Sequence, residues 1–287
     1  MSDSSMGTLY VVATPIGNLE DLSPRAARVL GEVALIAAED TRHSGRLLRH
    51  LGLSVPMLSL HEHNEAARVA QLDARLAGGD SIALISDAGT PLISDPGFVL
   101  VRELRARGRR IVPVPGPCAL VAALSAAGLP TDRFLFQGFL PAKGGGRRGR
   151  LEALAGHEET LVFYESPHRI RDTLADLGTC LGDRRLVLAR ELTKTFETFL
   201  DGTAAELLER LATDPDQARG EFVIMVAGAA PRDDGDTAAV DADALLGAML
   251  AEGVGVKQVA AVAARVLGGA KKTWYARALV LKERSQP

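Results

Sequence analysis

The sequence predicts an α/β protein built as two α/β domains followed by a small helical one. Three observations carry this. Strand, loop and helix signals repeat from residue 8 to 128 in the manner of a mostly parallel sheet. From residue 129 to 230 apolar strand runs are joined by a stretch of strict alternation at 197–203, which reads as a half-exposed antiparallel strand, so the second sheet is mixed. After a Pro/Asp/Gly-rich linker at 231–240, residues 241–287 show only helical periodicity. Residues 1–7 are polar and read as a flexible tail.

In the first domain, residues 8–13 are a strand that runs into the loop Thr14 to Asp21. Ser23-Pro24 gives an N-cap and a first-turn proline for a helix reaching Leu30. A strand over 33–37 ends at Glu39-Asp40-Thr41-Arg42-His43, and a helix is expected over 44–50. A short strand over 57–60 ends at His61-Glu62-His63-Asn64, with Asn64 expected to cap a helix that Gly78-Gly79 stops. Residues 81–85 are a short apolar run, the signature of a buried central strand. It opens into Ser86-Asp87-Ala88-Gly89-Thr90-Pro91-Leu92-Ile93-Ser94-Asp95-Pro96-Gly97. The helix after it, over 98–104, is expected to use Ser94 or Asp95 as cap and Pro96 in its first turn. A strand over 111–114 and a helix over 119–127 close the domain.

In the second domain, strands are predicted over 134–139, 160–164, 186–189 and 221–226, and helices from Arg169 to Leu177 and over 206–211. Lys143, Arg147, Arg148 and Arg150 sit among glycines and read as a mobile basic loop. Three helices at 242–252, 256–267 and 271–282, parted by Gly253 and Gly268-Gly269, resemble a helix-turn-helix unit.

Among 287 residues, 47% are hydrophobic and 24% charged, ordinary for a globular protein with a real core. A net charge of −3 announces neither a nucleic acid nor a membrane, so local patches must carry any such partner. Cys118 and Cys180 are too few for a disulfide framework, which fits a reducing cytosol. No apolar run approaches bilayer length and no signal-peptide order opens the chain, so a cytoplasmic protein is expected.

Neither a G-x-G-x-x-G after a strand nor a phosphate-binding G-x-x-x-x-G-K-[ST] occurs. His61 and His63 alternate along a strand and point to opposite faces, so no metal site is predicted. No nucleophile elbow surrounds Ser166. What stands out is the loop 86–97, which packs two carboxylates, two prolines, two glycines and three hydroxyls into twelve residues. In a parallel sheet it shares one edge with Thr14 to Asn18, Glu39 to His43 and His61 to Asn64, where open α/β sheets bind ligands.

The motifs VATPIGNLEDLS, AAEDTRHSGRLL, SDAGTPLISDPG, PGPCALVAALSAAGLP, QGFLP, FYESPHR and ARELTKTFE occur in this order between Leu9 and Ala227. Together they resemble the ribosomal small-subunit RNA (cytidine 2′-O)-methyltransferase family, of the tetrapyrrole-methylase superfamily. The resemblance implies two α/β domains of tetrapyrrole-methylase type with S-adenosylmethionine in the cleft between them, contacted by Pro15, Ser86, Asp87, Ala88, Gly89, Thr90, Ser125, Tyr164 and Leu192. It also implies 16S rRNA of the small ribosomal subunit as substrate, and a homodimer.

Within that frame, strand ends near the central loop supply the catalytic candidates. Asp40 and Glu165 are expected to orient or deprotonate the ribose hydroxyl, with His63 as an alternative base. Arg42 and Arg169 are expected to grip phosphates, with Lys143, Arg147, Arg148 and Arg150 as a clamp and Lys271 and Lys272 in the helical domain. For each charged candidate a helix cap or an ion pair is the competing role. Trp274 and Tyr275 are expected to pack that domain's core. A methyltransferase of the same fold acting on a tetrapyrrole or another small molecule is the alternative, and a module that keeps the fold without transfer is a third; the basic loop and the unbroken set of cleft motifs speak against them.

Overall fold

In the computed structural model, which describes residues 6–230 and 242–284, five parallel strands form the first sheet. They are β1 (Thr8–Val12), β2 (Leu35–Ala38), β3 (Met57–Ser59), β4 (Ile82–Ile85) and β5 (Arg110–Val114), in the order β3-β2-β4-β1-β5. Every pairing is parallel, with β1 between β4 and β5 through Leu9↔Ile82 and Leu9↔Ile111. β2 and β4 are buried at every position, as short apolar runs covered on both faces should be. Helices α1 (Pro24–Glu32) and α2 (Thr41–His50) cover one face through Val29, Leu30 and Leu48. α3 (Glu65–Ala77) and α4 (Phe98–Ala106) cover the other through Leu72, Leu76, Leu100 and Leu104.

The second sheet is mixed, as the sequence predicts. It comprises β6 (Phe134–Phe139), β7 (Thr160–Glu165), β8 (Leu186–Arg190), β9 (Thr198–Gly202) and β10 (Phe222–Val226), in the order β6-β7-β10-β8-β9. Only β6 and β7 run parallel. α6 (Gly144–Leu154), α7 (Ile170–Leu181) and α8 (Ala204–Thr213) pack on one face around Phe163, Leu174 and Leu207. α5 (Ala119–Ala126) follows β5 but packs on the opposite face of this second sheet, placing Leu120, Ala123 and Leu124 against Val162, Ala189 and Met225. That crossing helix joins the two lobes, which form one compact unit, Met1–Ala229.

Several local expectations are corrected. α2 begins at Thr41 rather than residue 44, because the Asp40 carboxylate accepts from the Arg42 N–H at 2.8 Å and caps it. Neither Ser94 nor Asp95 caps α4, nor does Pro96 lie in its first turn. Gly97 is the cap at φ 125°, where a Cβ would sit 2.9 Å from Leu84 and Leu92. Asn64 makes no cap bond and instead accepts from the His61 N–H at 2.9 Å. Gly7, read with the tail, is buried and donates to the Leu76 carbonyl at 2.8 Å. Residues 1–5 of that tail and the linker at 231–240 lie outside the described residues.

The largest correction concerns the basic glycine stretch, which is helix α6 and not a mobile loop. Three consecutive glycines weaken a helix by roughly 0.5–1 kcal/mol each, but Arg147, Leu151 and Leu154 form its buried stripe. Arg147 is 5% exposed and donates from Nε to Asp176 of α7 at 2.6 Å, with Arg148 3.3 Å from the other carboxylate oxygen. It therefore holds the lobe together and is no part of a phosphate clamp. Arg147→Met should lower stability by about 2 kcal/mol, since Arg148 still partners Asp176; calorimetry checks this.

The second compact unit, Ala230–Pro287, contains α9 (Ala242–Ala251), α10 (Val256–Val266) and α11 (Lys271–Arg284). Leu246, Val259, Ala263 and Ala278 form its core. Trp274 packs against that core and donates from Nε1 to the Gly268 carbonyl at 2.6 Å, as a core residue should. No helix among the described residues is long and apolar enough to cross a membrane.

Candidate functional site

The loops that follow β1 and β4 are bound to each other. The Thr14 N–H donates to the Gly89 carbonyl at 2.8 Å, and the Gly89 N–H returns the bond at 3.0 Å. Gly89 holds φ 83°, and Ile16 would lie 3.3 Å from any Cβ there. Thr90 Oγ1 donates to the Pro117 carbonyl at 2.9 Å, fixing the far end of the loop to the segment that opens α5. Leu92 and Ser94 take positive φ without being glycine, as do Glu191 and Thr193 after β8. Backbone strain of this kind collects where a site over-determines the chain, and here it flanks one cleft from both sides.

That cleft, of about 380 Å³, runs between the lobes. The first lobe offers Ala88, Gly89, Thr90 and Asp95, the second Phe139, Tyr164, Leu192 and Phe222. Tyr164 Oη accepts from the Leu120 N–H at 3.0 Å, and its ring meets Phe136 and Phe139 edge-on. Burial drives its phenol well above the ordinary range, so it stays protonated. Volume and lining suit a small molecule with one apolar and one polar face. Of the residues assigned to the cofactor, Ala88, Gly89, Thr90, Tyr164 and Leu192 line this cleft. Ser125 lies outside it, exposed on α5, with its hydroxyl donated to the Ala122 carbonyl.

Pro15, Ser86 and Asp87 line a second, smaller cavity of about 150 Å³, shared with Thr14 and with Ser44 and Leu47 of α2. The same loop thus serves both cavities: Ser86 and Asp87 face one, Ala88 to Thr90 the other.

The electrostatics correct the assignment of bases. Asp40 accepts a backbone and two side-chain bonds from Arg42, which hold its carboxyl at about 2, and it borders neither cavity. Such a carboxylate is too weak a base for a ribose hydroxyl; the Asp40–Arg42 pair is a cap with an exposed ion pair. Glu165 does border the cleft, but its oxygens accept from Arg169 Nε and Nη2, Thr173 Oγ1 and the Ser166 N–H, all within 2.8 Å. Burial alone would raise its pKa, yet the bonds from Arg169, Thr173 and Ser166 outweigh it and leave the group lowered. Arg169 also donates to the Leu140 carbonyl, so this pair is structural and Arg169 is not free for a phosphate. His63 is exposed, stacks edge-on with His61 and borders neither cavity. Arg150 donates to Gln137, while Lys143, Lys271 and Lys272 are exposed at the first turns of α6 and α11.

Asp95 belongs to the 86–97 loop that the sequence singles out, though as a cap candidate and not as a catalytic or cofactor residue. In the structure it borders the cleft. Burial pushes its carboxyl up to about 6, a Ser86 hydrogen bond opposes this, and Glu39 and Asp87 add to the rise. Burial and Asp87 raise Glu39 as well.

A profile of Tetrapyrrole (Corrin/Porphyrin) Methylases matches residues 8–208, and one of the RsmI C-terminal HTH domain matches residues 236–282. The chain belongs to the tetrapyrrole methylase family. Within it, the ribosomal RNA small subunit methyltransferase I of Pseudomonas aeruginosa is 56% identical over 276 residues, covering 96% of this chain and 98% of that protein. The protein of the same name from Escherichia coli O157:H7 is 50% identical, covering 97% and 96%. Among solved structures, the Thermus thermophilus uroporphyrin-III-C-methyltransferase superposes with a TM-score of 0.55 at 24% identity, covering 77% of this chain and 94% of that one. The methyltransferase CobJ gives 0.58 at 22%, covering 79% and 96%. These likenesses place the two-lobed fold in the tetrapyrrole methylase class, and the close relatives place the chain among methyltransferases that share its C-terminal helical domain.

Proposed function

We propose that this tetrapyrrole methylase-fold protein transfers the methyl group of S-adenosylmethionine to the ribose 2′-hydroxyl of a cytidine in the 16S rRNA of the small ribosomal subunit. The interlobe cleft carries the reading: the loop residues Ala88 to Thr90 face Tyr164 and Leu192 across a space of small-molecule size. Gly89 leaves the backbone open to close approach, and Ile16, Phe139 and Phe222 give apolar walls for an adenine. S-adenosylmethionine bound there supplies a methyl carbon already activated by a positive sulfur. Ala88 to Thr90, Tyr164 and Leu192 would hold that donor, and Asp95, which borders the same space, would accept the proton of a ribose hydroxyl brought up to the methyl group. The cleft's closely placed loops then serve mainly to align oxygen, carbon and sulfur. No metal is required by this scheme.

An RNA substrate is favoured over a tetrapyrrole by the relatives at 50–56% identity, all named for ribosomal RNA, whereas the uroporphyrin enzyme shares only 24%. Exposed Lys143, Arg148 and Arg150 of the core and Lys271 and Lys272 of the helical unit are the phosphate contacts of this reading. A cytoplasmic homodimer belongs to it too, and exposed Phe98, Val121 and Phe196 provide apolar surface for pairing; a monomer mass by light scattering at micromolar concentration refutes the dimer.

The test is transfer of labelled methyl to small subunits and to free 16S rRNA, with digestion to 2′-O-methylcytidine. Labelled product of any other chemistry overturns the reading. Removing residues 242–287 should leave cofactor affinity unchanged and raise the KM for RNA severalfold, because the helical unit has its own core. Full activity of the truncated chain at limiting RNA would show that this unit does not engage the substrate.

A further inference from the structure

From the second cavity we infer a nucleobase pocket that receives the target cytosine, turned out of its RNA strand. This rests on the reading of the reaction as cytidine 2′-O-methylation. Three features of the cavity support it.

The first is an unpaired hydroxyl. Ser44 of α2 is 3% exposed, borders the cavity, and its Oγ has no hydrogen-bond partner among the described residues. Buried hydroxyls are paired in native proteins unless a ligand or water completes them. Ser44 is not where a helix needs a polar residue: its own N–H already bonds to the Asp40 carbonyl, and Asp40 provides the cap.

The second is a carboxylate with one oxygen spoken for. Asp87 Oδ1 accepts from the Asp40 N–H at 3.0 Å, which aims the side chain and leaves Oδ2 for a donor. Cytosine presents an amino donor beside two acceptors, N3 and O2, whereas uracil presents a carbonyl where the amino group would be. A carboxylate accepting from the cytosine amino group, with a hydroxyl donating to N3 or O2, is complementary to cytosine and opposed to uracil. Leu47 and Pro15 give the cavity apolar walls for the ring faces, and about 150 Å³ suits a single pyrimidine.

The third is position. Arg46 and His43 stand exposed at the cavity, and among the described residues Arg46 makes no ion pair, so a phosphate beside the turned-out base has a cation to meet. Asp87 and Ala88 are adjacent in the chain yet face different cavities. A base held by Asp87 therefore lies against the same loop whose next residues, Ala88 to Thr90, line the cleft that Asp95 borders. Enzymes that do chemistry on a base read it, once extruded, by its pairing edge; here the same reading selects the nucleotide whose ribose reacts.

The experiment uses the full chain with small ribosomal subunits, and with cytidine and uridine 5′-monophosphates as direct probes followed by NMR. Ser44→Ala removes a hydroxyl that bonds to nothing among the described residues, so its melting temperature and its cofactor affinity should equal those of the parent. Its KM for RNA should rise about tenfold, and its affinity for cytidine monophosphate should fall by a similar factor. Asp87→Asn keeps the acceptor for the Asp40 N–H and adds a donor, so it should fold and lose the preference for cytidine over uridine monophosphate. The pocket is overturned if the parent protein binds neither nucleotide at millimolar concentration or binds both equally. It is also overturned if Ser44→Ala changes neither KM nor nucleotide affinity. A parent that binds cytidine monophosphate through Ser44 yet methylates no RNA supports the pocket and refutes the function proposed above, so the two fail separately.

Discussion

Asp95→Asn is expected to slow single-turnover methyl transfer at saturating RNA by about 10²–10⁴-fold, the usual contribution of a positioned base. Asp95 borders the interlobe cleft, and burial, with Glu39 and Asp87 adding to it, raises its carboxyl to about 6. In the parent the rate should climb with pH as Asp95 loses its proton and level off above about 6; the variant should lose that limb. Stability should move the other way. A carboxyl at about 6 in the fold against 3.8 unfolded favours the protonated folded state, so its contribution is full below 3.8 and disappears as pH rises through 6. Asparagine cannot ionise, so above pH 6 the variant should melt no lower than the parent, and higher if the Ser86 bond survives. Loss of rate without loss of stability is the mark of a group kept for chemistry at the fold's expense. A parent-like rate and pH profile in Asp95→Asn would show that transfer here depends on alignment alone.

Much of this was legible in the sequence because the signals were local. Buried strands such as Ile82–Ile85 announce themselves as short apolar runs, and the Ser23-Pro24 pair fixes a helix start without tertiary help. That the central loop lines a cleft is legible too, since its position after a buried strand is a topological fact. What escaped depended on partners far along the chain. The glycine-rich stretch before Leu151 reads as a loop until Asp176, 29 residues away, claims Arg147. Asp40 and Glu165 read as catalytic because each ends a strand in a polar cluster. Nothing local reveals that one caps its own helix while the other accepts four hydrogen bonds. Asp95 shows the reverse error: Ser-Asp-Pro-Gly looks like a cap, and only the left-handed turn at Gly97 releases the carboxylate towards the cleft. The pairing of the central loop with the first one rests on the Thr14–Gly89 bridge, a contact across 75 residues that no local signal reveals.

Glu165→Ala is the largest stability effect expected in the core. The residue is 2% exposed, and removing it strands Arg169, whose side chain is only 24% exposed, together with the hydroxyl of Thr173 and the Ser166 N–H. Breaking a buried pair on one side costs about 3–5 kcal/mol, which for a lobe pair of this size lowers the melting temperature by about 10 °C. Glu165→Gln keeps the shape but turns an amide donor towards Arg169 or Thr173, so it should lie between parent and alanine. Hydrogen bonds hold the folded carboxyl below its ordinary 4.5. Its stabilisation is therefore present above pH 4.5 and fades as pH falls through the lowered value. The parent should accordingly lose stability on acidification faster than either variant, and the curves should converge at low pH. Thr173→Val, which removes a single bond to the same carboxylate, should cost about 1–2 kcal/mol. Methyl transfer measured well below the melting point tells a structural role from a catalytic one. A structural Glu165 leaves the pH limb of the rate in place, with the limb still near that of Asp95. A Glu165→Gln protein that melts like the parent and loses the limb would return Glu165 to the role of base and remove Asp95 from it.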